Sequence, residues 1–145
     1  MFAQNEQAFK LHESGNTNCD NYRAIMDILL IELNKFPEAK GYVLVYEGDL
    51  EQRLYDKNAK YKGVKHVPSE IGTDTELIGY FKNHLSFRNF PSANIVFVEA
   101  GFREKLSIEL WFVPHGANPP KSEPTLKKIK QRKQKHTEFG FCGEM

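Results

Sequence analysis

Apolar positions in this chain recur with two periods, and the switches between them mark the elements. From Ile95 to Val113 the period is that of strands. Ile95-Val96-Phe97-Val98 is continuously apolar, as in a strand covered on both faces. Glu99 to Lys105 holds Gly101 among charges and reads as a tight turn. Beyond it Leu106, Ile108, Leu110 and Phe112 alternate with Ser107, Glu109, Trp111 and Val113, a second strand. The stretch therefore predicts an antiparallel hairpin, with Trp111 on the sheet's second face. A lone hairpin is marginal in water, so the remaining elements must cover it.

Helical spacing appears twice. Tyr22, Ile25, Met26, Leu29, Leu30, Leu33 and Phe36 recur at three and four residues and predict a helix from about Asp20 to Lys35. Asn18 or Cys19 is placed to cap it, and Pro37 stops it. Thr73-Asp74-Thr75-Glu76 has the form of a capping box opening a second helix to about Phe87. Its apolar side is Leu77, Ile78, Phe81, His84 and Leu85. Ala8 to His12 reads as a short strand. Gly41 to Tyr46 reads as a central one, ending in a Glu47-Gly48-Asp49 turn. The polar stretch Leu50 to Gly72 shows no clean period and reads as a long loop, with a brief extended piece at Val64 to Val67. The predicted order is β-α-β-α-β-β. That is an α/β (α+β) two-layer sandwich over 8–114, two helices packed on one mixed sheet. A Pro/Gly-rich and basic tail follows over 115–145.

Composition changes this picture little. The 145 residues suit one domain, and a net charge of +1 gives no overall pull toward nucleic acid or membrane. The basic residues do bunch at the end, as Lys127, Lys128, Lys130, Arg132, Lys133 and Lys135. The two cysteines, Cys19 and Cys142, are either free thiols or one disulfide. No apolar run is long enough to cross a membrane as a helix. Phe2-Ala3-Gln4 reads either as a signal-peptide remnant or as a plain polar terminus.

Candidate chemistry is sparse. The glycines are scattered, there is no Gly-x-Ser-x-Gly, and the five histidines show no metal-ligand spacing, so no cofactor or metal is expected. Glu47, Asp49 and Glu99 lie near predicted strand ends, where carboxylates can do acid–base work or sit solvated in turns. Glu99, Arg103 and Glu104 are placed to pair across the predicted turn.

The order and landmarks from Phe9 to Val113 resemble the OmpA-like periplasmic domain, the peptidoglycan-binding domain of outer-membrane protein A and its relatives. They include a short first strand with a Gly-containing turn, a long helix and an apolar strand ending in Gly48-Asp49. A second helix and a Pro91-containing link to the next strand follow. GFREKLSIELWFVP is also similar to the ending of exported bacterial proteins that look like divergent members of this architecture. The resemblance implies an exported domain, periplasmic or in the cell envelope, with peptidoglycan or an envelope protein as partner. In the family an aspartate after the second strand and an arginine in Leu-Ser-x-x-Arg-Ala on the second helix clamp diaminopimelate. Here Asp49 takes the first place, while the arginine position falls near Leu77, which cannot replace a bidentate guanidinium. The resemblance thus implies a non-enzymatic binding or scaffolding domain. Its ligand-binding candidates are Asp49 and Glu47 in the turn, Arg53 in the loop and Arg103 in the hairpin. Two other readings stay open. One is an anionic-surface or nucleic-acid binder using the basic tail. The other is a small acid–base enzyme using Glu47, Asp49 and Glu99.

Overall fold

Asn18 accepts the Asn21 amide on its side chain at 2.8 Å, and this cap opens α1, Cys19–Lys35. A computed structural model describes residues 7–133. Along them run β1 (Phe9–Ser14), α1, β2 (Lys40–Tyr55), β3 (Tyr61–Val67), α2 (Thr73–Phe87), β4 (Ile95–Lys105) and β5 (Ser107–Val113). A single 3-10 turn, Ser92–Asn94, leads into β4. Among the described residues the fold is α+β, two helices and one five-stranded sheet.

β2 is the axis. Its first half lies between β5, antiparallel to it, and β4, parallel to it, and β1 adds antiparallel outside β5. Its second half leaves this sheet and pairs antiparallel with β3. The continuously apolar Val43-Leu44-Val45-Tyr46 run follows from this position. Val43 and Val45 pack with Tyr22, Met26, Leu29 and Leu33 of α1 and Leu77, Phe81 and Leu85 of α2. Leu44 and Tyr46 pack on the opposite face with Ala100, Tyr42, Val98 and Trp111. The alternation in β5 is realised the same way, with Leu106, Ile108, Leu110 and Phe112 in the helix-side core.

Three sequence expectations are corrected. First, Ile95–Val113 is not a hairpin, because β4 and β5 flank β2 from opposite sides. Glu99–Lys105 is strand rather than turn, and only Leu106 separates β4 from β5. The crossing from one side of β2 to the other passes over Gly48. There a Cβ would lie 2.3 Å from the Lys105 carbonyl carbon and 2.6 Å from the Leu106 nitrogen. The Leu106 amide donates to the Asp49 carbonyl at 3.0 Å, which pins the crossing. Glu47-Gly48-Asp49 is therefore not a strand end.

Second, Leu50–Gly72 is not a loop: β2 continues to Tyr55 and β3 returns, so the order is β-α-β-β-α-β-β. Both strands of this extension are largely exposed, so neither shows the period-2 pattern that burying one face imposes. Third, Thr73 does not cap α2. Gly72 holds the N-cap position, and the Thr73 hydroxyl instead donates to the Glu70 carbonyl at 2.6 Å.

Residues beyond β5 return across the second face. The Glu123 amide donates to the Tyr46 hydroxyl at 2.9 Å, and the Thr125 and Leu126 amides donate to the Phe102 carbonyl at 3.0 and 3.1 Å. Pro124 sits over Gly101, where a Cβ would come within 2.9 Å of it and where φ is +111°. The strap then reaches the segment between β3 and α2, where the Arg132 amide donates to the Ser69 carbonyl at 2.8 Å and its own carbonyl accepts the Ile71 amide at 2.9 Å.

Candidate functional site

Two features stand apart from the core: a carboxylate cluster at the start of α2, and the β2–β3 extension.

The cluster forms where β2, α2, β4 and the strap meet. Glu47 and Asp74 are only 7% and 9% exposed. The Glu47 carboxylate accepts the Asp74 amide at 3.4 Å and the Gln131 side-chain amide at 3.1 Å. Gln131 also donates to the Ser69 hydroxyl and the Glu70 carbonyl, both at 3.4 Å. Asp74 accepts the Thr75 amide at 2.8 Å, and the Thr75 hydroxyl donates to Glu99 at 3.1 Å. Burial raises the Glu47 carboxyl above its ordinary value, and the Asp74 charge beside it raises it further. Burial raises Asp74 likewise, with Glu99 adding to it against the Thr75 hydrogen bonds. Both carboxyls therefore release their protons at a higher pH than free carboxyls do. Among the described residues no group of three or more His, Cys, Asp or Glu is arranged to hold a metal ion.

The extension is an arm. Asn16 ties its base by accepting the Glu51 amide at 2.8 Å and donating to the Glu51 carbonyl at 2.9 Å. At its tip the Asp56 carboxylate accepts the Asn58 and Lys60 amides at 2.8 and 2.9 Å. This bracing holds Ala59 at φ +62°, a conformation non-glycine residues rarely take. Tyr55 and Tyr61 face each other beside the turn, 56% and 57% exposed.

The four candidate residues do not share one site. Glu47 belongs to the carboxylate cluster. Asp49 is half-buried at the chain crossing, opposite Lys105. Arg53 is exposed on the arm. The Arg103 carbonyl lies over Gly48, but its guanidinium turns to the second face, 3.5 Å from the Tyr46 ring centroid and 3.0 Å from Glu109. Glu109 is buried there, accepting the Trp111 indole N–H at 2.9 Å and pairing with Lys10 at 3.7 Å. The expected pairing of Glu99, Arg103 and Glu104 does not form: Glu99 accepts from Thr75, and Glu104 accepts the Thr125 hydroxyl at 2.6 Å. Leu77, near which the resemblance would put an arginine, is fully buried in the core.

Sequence reasoning missed Asp74 and Gln131. Asp74 was visible only as part of an apparent capping box, and Gln131 as one polar residue in a basic run. Cys19 is in a disulfide, and Cys142 lies outside the described residues. Among the described residues no helix is long and apolar enough to cross a membrane. In comparisons with protein-family models, curated proteins and solved structures, none matches this chain.

Proposed function

We propose that this chain is a non-enzymatic binding or scaffolding domain of the cell envelope, built on a divergent OmpA-like sandwich that carries an added arm. The observation that carries the reading is the arm itself. Residues 51–66 expose nearly all their side chains, and the core makes no use of them. A braced, exposed hairpin costs chain entropy that its own contacts repay poorly, and a surface used for contact accounts for keeping it.

Two observations support the setting. The disulfide at Cys19 fits an oxidising compartment. The observed order differs from that of the OmpA-like resemblance by β3, which this reading takes as an insertion. The family's diaminopimelate clamp is not carried over, because Leu77 is core and Arg103 is held by Glu109. We therefore assign the contact surface to the arm rather than to Asp49.

The test is co-sedimentation of the purified chain with isolated bacterial envelopes, separated into membranes and sacculi. Wild type is expected to sediment. A variant with residues 52–65 replaced by a two-residue turn, and with an unchanged thermal melt, is expected to stay in solution. Wild type remaining in the supernatant with both fractions would remove the reading.

A further inference from the structure

The arm has a charge and polarity pattern that names a class of partner. Arg53, Lys57, Lys60, Lys62 and Lys65 lie on it, against Glu51 and Asp56. Both acids are committed. Glu51, at the base, pairs with Lys105 at 3.4 Å. Asp56 turns into the hairpin to accept two amides and lies 3.9 Å from Lys62. Among the described residues Arg53, Lys57, Lys60 and Lys65 form no ion pair. The arm thus presents four uncompensated cations.

Apolar surface lies among them. Leu54 and Val64, on opposite faces of the ribbon, are 39% and 41% exposed, next to Tyr55 and Tyr61. The Tyr rings are T-shaped, with centroids 5.9 Å apart and an interplanar angle of 64°. The strap's basic run reaches the same region, since Arg132 donates to the Pro68 carbonyl at 2.6 Å just beyond β3. Two basic stretches far apart in sequence therefore meet at the root of the arm.

We propose that the tip of the β2–β3 arm docks on an anionic lipid bilayer surface. The inference rests on the binding reading and specifies the partner of that same arm. Three partner chemistries compete, and the pattern selects one. A second copy of the arm would set like charges against each other. A nucleic acid would satisfy the cations, but base stacking wants free ring faces, and here the edge of one Tyr ring is set against a face of the other. Leu54 and Val64 would also gain nothing from a phosphate backbone. An anionic bilayer satisfies all the groups together. Tyr rings sit at headgroup level, aliphatic side chains reach the acyl boundary, and Lys stems lie along apolar surface while their ammonium groups stay among the phosphates. The arm spans about 20 Å, enough to hold the tip clear of the body.

The experiment is vesicle flotation of the full chain, using phosphatidylcholine alone and phosphatidylcholine with roughly a third phosphatidylglycerol. Binding to the anionic vesicles alone, released by about 0.5 M salt, is expected. The double variant Tyr55→Ser/Tyr61→Ser and, separately, Lys57→Gln/Lys60→Gln should each lower partitioning roughly tenfold or more. Lys127→Gln/Lys128→Gln should lower it less. All altered side chains are exposed, so the melts should match wild type. No binding to anionic vesicles at low salt would overturn the proposal, as would equal binding to neutral ones. Binding that survives both arm variants but is lost with the strap variant would overturn it as well. So would arm-dependent binding to a single-stranded oligonucleotide without vesicle binding. If vesicle binding fails while envelope sedimentation still needs the arm, the lipid assignment falls and the binding reading stands.

Discussion

Glu47 shows how one residue's role is set by neighbours that sequence does not place beside it. Its carboxylate is buried, next to Asp74, and bonded by Gln131 from the strap. Its pKa is raised in the folded state. The folded chain therefore holds a proton at pH values where the unfolded chain has already released it. Stability linked to Glu47 is thus present at low pH and falls as pH rises from the ordinary carboxylate range to the raised value. Substituting Glu47→Gln removes the charge and keeps an oxygen that can accept from Gln131. It should raise the urea midpoint at pH 7 by roughly 0.3 M and have almost no effect near pH 4. Paired denaturation curves at the two pH values check this. An unchanged midpoint at pH 7 would mean the buried charge is already compensated.

Between elements, the decisive event is the passage of the β4–β5 link over β2. Two strands can flank the same neighbour and be joined through one residue only if the backbones nearly touch, and at Gly48 they do. The same crossing frees the second half of β2 from the main sheet, which creates the arm. Gly48→Ala should cost about 3 kcal/mol or more, because rigid backbone rather than a flexible side chain occupies the Cβ position. A thermal melt compared with wild type measures it. A loss below about 1 kcal/mol would show that the crossing can move apart.

For the molecule as a whole, the strap closes the second face of the sheet. It is held by hydrogen bonds to Tyr46, Phe102, Glu104, Ser69 and Glu47, with Arg103 reaching the Glu123 carbonyl at 3.3 Å. Such a segment should open locally before the core does. Tyr46→Phe keeps the ring under Arg103 and deletes the acceptor for the Glu123 amide, a loss of about 1 kcal/mol. Limited proteolysis within 115–133 should then run roughly fivefold faster, while the global melt changes little. Equal cleavage rates would place the strap's anchoring elsewhere.

Periodicity alone was enough for α1, α2, the central role of β2 and the inward face of β5, because each buries one stripe or both faces and so repeats in sequence. Tyr22 to Leu33, Leu77 to Leu85, and Leu106 to Phe112 all lie where their spacing puts them. The arm escaped because its faces are exposed, so nothing forces alternation. The β4–β5 crossing escaped because a charged, Gly-containing strand at a sheet edge has the composition of a turn. The carboxylate cluster escaped because Glu47, Asp74, Glu99 and Gln131 meet only after four separate segments have packed. Burial leaves a repeating mark on each element. Partner choice among strands, and the convergence of distant polar groups, leave none and are decided in three dimensions.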